Sequence, residues 1–388
     1  MLNVSVKCVP TGLAAALLFG SLVAALSAQS VPFCTGTLGA FGWQCTTVDA
    51  TSDTGSASRT AYAADGTLLI AYNQTLTTSG KNAQKHALRY ATRSTSGAWT
   101  TQTIDSSVGE PSTLVLNPVT GRPAIGYGCL KLAEFTGTAW SLQTVVAERA
   151  CGDWGTTIAF DPSGSLFAAY SDVKSKKLVF GQRTGSAWSF QTFNQLASYK
   201  SLAVGPDGQP SIAFENYGAA LMFGRRNSSG AWQFTTVDTV ASGGASFISH
   251  VNLAYDETGA AAIAYHNGPT VRYARLEAGA SAWTIDVAHA SPAPNWYLTA
   301  VSLTHANGEP VITFQQHNQS TSRYELLVTR KSSSGWVPLS SVESFALSDT
   351  LLHLSAAYDS LHGLVGVSYG SRAVQQLRFA EGLTGGGW

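Results

Sequence analysis

The hydrophobic pattern of this chain repeats seven times as short alternating segments. Each unit has an apolar strand, a turn that ends in glycine, and a second strand that ends in an aromatic residue, as in LAVGPDGQPSIAF and LAYDETGAAAIAY. Apolar and polar positions alternate, and Gly, Asp, Asn and Ser bound the segments, which is typical of β-strands. No segment of the sequence carries a sustained apolar repeat of helical period, so the pattern predicts an all-β chain.

A second motif interleaves with the first. Seven tryptophans follow short Gly/Ser/Ala turns and precede alternating stretches, at intervals typical of one propeller blade. They are Trp43, Trp99, Trp140, Trp188, Trp232, Trp283 and Trp336. With a third strand between the two motifs, each unit holds four strands, and the sequence predicts a seven-bladed β-propeller. One large aromatic per blade is expected to pack between neighbouring sheets rather than to bind a ligand.

The two ends of the chain predict how the ring closes and where the protein goes. A lone tryptophan strand, residues 42–50, precedes the first turn glycine, whereas the last unit lacks its outer strand, so we expect residues 42–50 to complete the last blade. Residues 1–28 have the pattern of a secretory signal peptide, with a membrane anchor as the alternative. The sequence thus predicts a single propeller domain over residues 29–388, secreted to the extracellular space or periplasm, and expected to be a monomer.

Composition narrows the partners and suggests disulfide bonds. Only 12% of the residues are charged and the formal net charge is zero, so nothing indicates a nucleic acid or an anionic membrane as partner. Four cysteines follow the signal peptide, and an even count in an oxidising compartment predicts two disulfides. Of the three pairings we favour Cys34–Cys45 with Cys129–Cys151, because each closes a local loop. A zinc site is the weaker alternative, since no CxxC spacing is present.

Candidate chemistry gathers where the innermost strands start and the second strands end, because these points share one face of a propeller. The start positions, about nine residues before each turn glycine, are Ala57, Pro111, Gly155, Tyr199, His250, Thr299 and His353. The end positions are Asn73, Gly128, Ser171, Glu215, His266, Gln315 and Gly370. Most are small, but blades 4, 5 and 7 carry large polar groups. His250 and His266 occupy both points of blade 5 and are expected to face one another.

Two uses of these groups are open. With Tyr199 they form a candidate acid–base set. The same groups could instead hydrogen-bond sugar hydroxyls beside a stacking aromatic. The wider set of candidate ligand-binding residues is Trp154, Asp172, Lys200, Glu215, Asn216, Trp296, His317, His353 and Arg372, with Trp154 and Trp296 expected in loops that lead into innermost strands. A third possibility is that these residues only satisfy strand ends and hold channel water.

No motif in the sequence predicts a metal or a cofactor. The DPSG, GPDG and DETG turns lack the dense aspartates of calcium loops, so Asp161, Asp207 and Asp256 are interpreted as turn formers. Two histidines could bind zinc only with a third ligand from another blade. No nucleophile elbow, phosphate loop or dinucleotide fingerprint is present.

The repeat "apolar strand, D-x-x-G turn, I-A-Y, L-x-Y-A-R, G-x-x-W" resembles that of secreted bacterial propellers of the sialidase-like group with BNR-type repeats. The resemblance covers nearly the whole mature chain and implies the fold, not an activity. The sialidase hallmark S-x-D-x-G-x-x-W is not intact in any unit, and an arginine triad cannot be assigned.

Blade 5, HVNLAYDETGAAAIAYHNGPTVRYAR, is more similar to the repeat of propeller polysaccharide lyases. That likeness implies roles for His250, His266 and either Tyr199 or Tyr273 in neutralising a uronate and abstracting its proton. Such lyases need a cationic groove, however, and the chain is neutral overall.

Three functional hypotheses follow, and they predict different sites. The first is binding of an extracellular ligand, foremost a glycan, on one face of the ring. The alternative is a polysaccharide-processing enzyme, a lyase before a hydrolase, and the second alternative is a non-catalytic protein-interaction scaffold. Lectin-like binding predicts similar pockets repeated between blades, whereas an enzyme predicts one deep site with unequal blades.

Overall fold

The computed structural model describes residues 34, 42–76, 85–147, 150–151, 155–217, 219–240, 248–291, 296–318, 321–346, 353–371 and 375–383. The expected signal peptide, residues 1–28, lies outside these ranges. The described residues form strands and turns and include no helix, as the alternating pattern predicts. Accordingly, the described ranges contain no helix of the length and hydrophobicity that crossing a bilayer requires.

The strands form seven antiparallel sheets, in which hydrogen-bonded neighbours follow chain order from the innermost strand outward. Blade 1 contains β2 (Thr54–Tyr62), β3 (Leu68–Leu76), β4 (Lys85–Arg93) and β5 (Trp99–Asp105). Blade 2 contains β6 (Pro111–Leu116), β7 (Pro123–Tyr127), β8 (Leu130–Phe135) and β9 (Trp140–Val146). Blade 3 contains β10 (Thr157–Phe160), β11 (Leu166–Ser171), β12 (Lys177–Thr184) and β13 (Ala187–Leu196).

The remaining blades follow the same order. Blade 4 contains β14 (Lys200–Val204), β15 (Pro210–Glu215), β16 (Ala220–Arg226) and β17 (Trp232–Thr239). Blade 5 contains β18 (Ile248–Tyr255), β19 (Ala261–Asn267), β20 (Thr270–Leu276) and β21 (Thr284–Ala290). Blade 6 contains β22 (Trp296–Ala306), β23 (Glu309–Asn318) and β24 (Arg323–Ser332), whose outer edge pairs with both β25 (Gly335–Trp336) and β26 (Ser340–Ala346). Blade 7 contains β27 (Leu354–Asp359), β28 (Leu364–Ser371), β29 (Gln376–Leu383) and, outermost, β1 (Gln44–Asp49).

The sheets close into a ring. Each innermost strand contacts the innermost strand of the next blade, in the order β2, β6, β10, β14, β18, β22, β27 and back to β2. β1 pairs antiparallel with β29, with Cys45 opposite Ala380, so the expected closure by an N-terminal strand is confirmed. The chain is therefore a seven-bladed propeller in which the first strand completes the last sheet.

Both disulfides favoured from the sequence are present. Cys34–Cys45 has a Cα–Cα distance of 5.1 Å and links Cys34, which precedes β1 in the sequence, to Cys45 within β1. Cys129–Cys151 has a Cα–Cα distance of 5.3 Å and joins the turn after β7 to the segment that leads into blade 3. Each bridge therefore fixes a connection rather than the interior of a sheet.

The core lies between the blades, and the tryptophans pack there as expected. Every residue of β19 is buried, whereas the outermost β13 is largely exposed. Tryptophan rings of one blade meet aromatic rings of its neighbour edge to face, with centroids 4.9 Å apart for Tyr90 and Trp140 and 5.1 Å apart for Phe223 and Trp283. Such contacts favour a constant spacing between sheets.

Four blade boundaries in the described part of the chain also share a polar contact, here called the clasp. An acidic residue on the outer strand of one blade accepts hydrogen bonds from a tyrosine hydroxyl at the end of the next blade's second strand and pairs with a basic side chain of that blade. The four clasps are Asp49–Tyr72–Arg89, Asp105–Tyr127–Lys131, Asp238–Tyr265–Arg272 and Glu343–Tyr369–Arg378. This pattern was not among the predictions from the sequence.

At two further boundaries both members of the clasp are replaced. Two blades have phenylalanine at the tyrosine position, Phe214 and Phe314, and there the acidic position is occupied by Asn194 and His289. The His289 ring stacks on Phe314 with centroids 5.1 Å apart. A buried carboxylate without its donors would be costly, so the acid is absent where the hydroxyl is absent. The reverse does not hold, because Tyr170 keeps its hydroxyl where Val146 occupies the acidic position.

We expect Asp105→Asn to lower the free energy of unfolding by about 2–4 kcal/mol, because it leaves the buried Lys131 ammonium without its counter-ion. Burial disfavours the Asp105 charge, but bonds from Lys131 and Ser107 outweigh it and lower the pKa of Asp105. Urea denaturation at neutral pH measures the loss. The matched control is Asp207→Asn, whose pair with Arg225 is exposed, and it should cost less than about 1 kcal/mol. Equal losses in the two variants would contradict the clasp.

Candidate functional site

The innermost strands enclose a central channel with a cavity of about 1330 Å³. The face of the ring at which these strands begin is called the upper face. The first channel-facing level on this side, called the mouth ring, consists of Ala57, Pro111, Gly155, Tyr199, His250, Ala300 and His353. Six of these residues are the strand-start positions indexed from the turn glycines.

Blade 6 departs from the sequence-based index, which placed Thr299 at this level. Leu303 pairs with Ile312, whereas the corresponding Leu253 of blade 5 pairs with Ile263, so the hairpin of blade 6 is one residue shorter. The residue that lines the cavity is therefore Ala300, not Thr299.

The second channel-facing level, two residues further along each innermost strand, is called the polar ring. In six blades its side chain accepts a hydrogen bond from a backbone N–H of the next blade's innermost strand. The acceptors are Thr113, Thr157, Ser201, Asn252, Ser302 and Ser355, at 3.0 to 3.4 Å from the donors Ile158, Leu202, Leu253, Leu303, Ala356 and Thr60. Small hydroxyl and amide side chains thus link neighbouring blades around the channel.

Blade 1 breaks this ring with Arg59. A guanidinium has no acceptor atom, so it cannot serve the next blade's N–H as the other six residues do. Its Nε donates instead to the carbonyl of Ser112 at 2.6 Å, and its Nη1 donates to the carbonyl of Ser58 at 2.7 Å. Arg59 forms no ion pair with a carboxylate of the described residues, and burial alone lowers its pKa to about 10. A partly buried cation therefore lies one level below the mouth.

Large polar groups crowd one side of the mouth ring. The rings of Tyr199 and His250 are in contact, with centroids 4.9 Å apart, and the His250 and His266 rings are 5.2 Å apart. The two histidines that sequence analysis expected to face one another therefore do so. Burial lowers the pKa of His250 to about 4. Burial, with the charges of Arg59 and His250, lowers the pKa of His353 to about 3, so both imidazoles are neutral at neutral pH.

The backbone at His250 is left-handed, as it is at Ala300, the equivalent mouth-ring residue of blade 6. Its φ is +52°, in the left-handed region that few non-glycine residues adopt. The pairing of β18 with β19 slips between Ser249 and Asn252, so His250 lies in a β-bulge. Bulges redirect side chains and recur near functional sites, and a left-handed residue costs on the order of 1–3 kcal/mol. Because Ala300 adopts the same conformation beside a register shift in blade 6, the bulge belongs to the start of these innermost strands and also sets the direction of the imidazole.

A buried layer of ionisable groups lies behind the mouth ring. Neither ring nitrogen of His266 has a hydrogen-bond partner among the described residues, and burial, then the nearby His250 and His289, hold its pKa well below 6.5. Burial raises the pKa of Glu215 to about 7, and its Oε1 also has no partner among the described residues. These two residues do not line the cavity, so their influence on it is indirect.

The other candidate residues are dispersed. Lys200 lines the cavity, where its ammonium donates to the Gly155 carbonyl at 3.1 Å. Asp172 and Asn216 form turns through bonds to Ser175 and Ala220, and His317 stacks on Tyr324, all away from the cavity lining.

Three further candidates meet the limits of the described residues. Trp296 was expected in a loop but is the first residue of β22, opposite Asn318. Trp154 and Arg372 lie outside the described residues. Among the residues that the structure does describe, no group of three or more His, Cys, Asp or Glu side chains could hold a metal ion.

Seven four-stranded antiparallel blades around one channel define the chain as a seven-bladed β-propeller, with its candidate site at the upper end of the channel. At the level of the fold, this agrees with the resemblance to propellers of the sialidase-like group. The site is unequal around the ring, with Tyr199, His250 and His353 against four small residues.

No protein-family model and no curated protein matches the sequence. Among solved structures, a protein of unknown function from Dyadobacter fermentans is 9% identical with a TM-score of 0.49, over 91% of this chain and 100% of that chain. The alpha-L-arabinanase of Penicillium chrysogenum complexed with arabinobiose is 11% identical with a TM-score of 0.41, over 55% and 74% of the two chains. A Hadza microbial sialidase is 14% identical with a TM-score of 0.46, over 88% and 68%. The assignment to a class rests on the chain's own sheets.

We expect the protein to lose stability as the pH falls from about 6.5 to 4. His250, His266 and His353 stay neutral in the folded state while the unfolded chain takes up their protons near pH 6.5, so acid favours unfolding. Glu215 acts in the opposite direction, because its raised pKa makes the folded state bind a proton between about pH 7 and 4.5. Burial also lowers the pKa values of His289, His305 and His317, so six histidines oppose one carboxyl and the net effect is a loss.

Two variants separate these contributions, with urea denaturation at pH 7 and pH 5 as the measurement. His353→Gln should reduce the difference in unfolding free energy between the two pH values. Glu215→Gln should increase it, because the opposing group is removed. Unchanged differences in both variants would contradict the assignment.

Proposed function

We propose that the protein binds an extracellular glycan at the mouth ring, on the upper face of the propeller. The observation that carries this proposal is the grouping of Tyr199, His250 and His353 around one cavity otherwise lined at that level by Ala57, Pro111, Gly155 and Ala300. A phenol and neutral imidazoles donate and accept hydrogen bonds to hydroxyl groups and offer aromatic faces, while the small residues leave space for a ring.

The arrangement favours one ligand unit per molecule. The repeated pockets expected of a symmetric lectin would need equivalent residues in each blade, whereas the mouth ring differs from blade to blade. The two disulfides support a location outside the cytoplasm, where such bonds persist. We therefore favour a secreted propeller with a single glycan site.

The low basicity of the two mouth-ring histidines favours binding over catalysis. An efficient general base has a pKa near the working pH. The pKa values of His250 and His353, about 4 and about 3, make both imidazoles poor proton acceptors at neutral pH. Neutral imidazoles remain good hydrogen-bonding groups, so low basicity does not weaken their role in recognition.

A glycan array on the mature protein, with affinities of the bound glycans measured by calorimetry, tests the proposal. We expect His250→Asn and His353→Ala each to weaken binding about tenfold, the effect of losing one well-placed hydrogen bond. Asparagine is chosen at position 250 because it tolerates the left-handed backbone. The control is His362→Ala, an exposed histidine in the turn between β27 and β28 on the opposite face. Equal effects of the three substitutions, or the absence of any bound glycan, would refute the site.

The second candidate, a polysaccharide lyase, is favoured by one observation: Arg59, Tyr199 and His250 line the same cavity. A cation, a phenol and an imidazole are the groups that uronate proton abstraction requires. Absorbance of unsaturated uronate product from acidic polysaccharides tests it, and product that disappears in His250→Asn would replace the binding proposal. Neither glycan binding nor product formation would leave the interaction scaffold.

A further inference from the structure

We propose that the glycan bound at the mouth ring carries a carboxylate, and that Arg59 binds it. This inference rests on the proposed function and names the class of sugar that the site takes. Its starting point is the polar ring, where position 59 is the one member that does not link its blade to the next through an accepted hydrogen bond.

The guanidinium of Arg59 is held in position, and part of its hydrogen-bonding capacity is not used by the described residues. Two of its nitrogens donate to the carbonyls of Ser58 and Ser112, which fix its orientation in the channel wall. Nη2 makes no hydrogen bond to a described residue. An arginine held by two carbonyls, with donors remaining, is prepared for a planar anion that accepts paired bonds.

Within the described residues, no carboxylate pairs with this cation. Two acidic residues line the cavity, Glu110 and Asp161. Glu110 pairs with His86 at 3.3 Å and is exposed. Asp161 caps its own turn through bonds to Ser163 and Ser165. The described lining therefore combines the Arg59 guanidinium and the Lys200 ammonium with neutral histidines, an environment that favours a bound carboxylate.

Among the described residues, the mouth-ring side chains nearest Arg59 in the sequence of blades are small. The mouth-ring residue of the same blade is Ala57, and the next two blades contribute Pro111 and Gly155. The side chains that crowd the mouth, Tyr199, His250 and His353, belong to blades 4, 5 and 7. A sugar seated against those rings could direct a carboxylate through the side lined by small residues to the guanidinium below.

Arg59→Thr tests this inference with little risk to folding, because threonine is the residue found at this level in blades 2 and 3. It supplies the missing acceptor and removes a partly buried charge, so the Tm should equal or exceed that of the wild type. Affinity for carboxylated glycans should fall at least tenfold, the usual effect of losing a charge-assisted bond, whereas affinity for their methyl esters should not fall. The control Arg225→Thr, in an exposed pair on the opposite face, should leave binding unchanged.

The array should contain each acidic glycan, its methyl ester and sulfated counterparts. Wild-type binding that requires the carboxyl group and is lost in Arg59→Thr supports the inference. Binding of neutral and acidic glycans with equal affinity, preference for sulfate esters, or a lower Tm with undiminished carboxylate binding in Arg59→Thr would overturn it and leave the glycan site intact. No bound glycan of any kind would overturn the proposed function and this inference together.

Discussion

The free edge of each innermost strand is the constraint on which this propeller depends. In a four-stranded blade the two middle strands are hydrogen-bonded on both sides. The innermost strand has one free edge, which presents unpaired backbone groups to the channel, and such groups need partners. The polar ring supplies them by passing one hydrogen bond from blade to blade through short side chains such as Thr157, Ser201 and Ser302. The ring couples the blades at their centre and restricts six of its seven positions to residues that can accept.

Where structure demands uniformity, differences between blades carry information about function. The polar ring departs from its rule at Arg59, and the mouth ring departs from small residues at Tyr199, His250 and His353. None of these is explained by the clasps, which lie between outer and middle strands and hold neighbouring blades together independently of the channel. A guanidinium with no carboxylate partner among the described residues costs stability, and the fold retains it at Arg59.

The sequence predicts the fold well because its signals are local and repeated. The turn glycines fix where each hairpin lies, the tryptophans fix the outer strands, and Trp43 before the first turn indicates the closing strand. Indexing from the turns also identifies six residues of the mouth ring, and it fails at Thr299 only because one hairpin is shorter. The facing of His250 and His266 follows from the same count.

The candidate site could be predicted only in part, because its chemistry depends on contacts between distant blades. Arg59 follows a small-residue start in an ordinary strand, and nothing local shows that it replaces a hydroxyl in a ring formed by all seven blades. The clasp was within reach, since an acid follows the tryptophan by six residues at Asp49, Asp105 and Asp238, but its partners belong to the next blade. Likewise the net charge of zero argued against an acidic ligand, although the Arg59 guanidinium and the Lys200 ammonium in the channel lining determine the local field more than the total charge does.

Arg59 bears on both the enzymatic and the non-enzymatic hypothesis, because its charge affects the basicity of a neighbouring histidine. Its charge is one of the causes that hold the pKa of His353 low, so a carboxylate bound to the guanidinium would cancel that contribution and raise the basicity of the imidazole beside it. A neutral sugar would leave the histidines as weak bases and the channel as a binding site. The same residues would therefore be catalytically inert toward a neutral glycan but better proton acceptors toward an acidic one. The charge of the ligand, rather than further residues of the protein, would then determine whether the site only binds or also abstracts a proton.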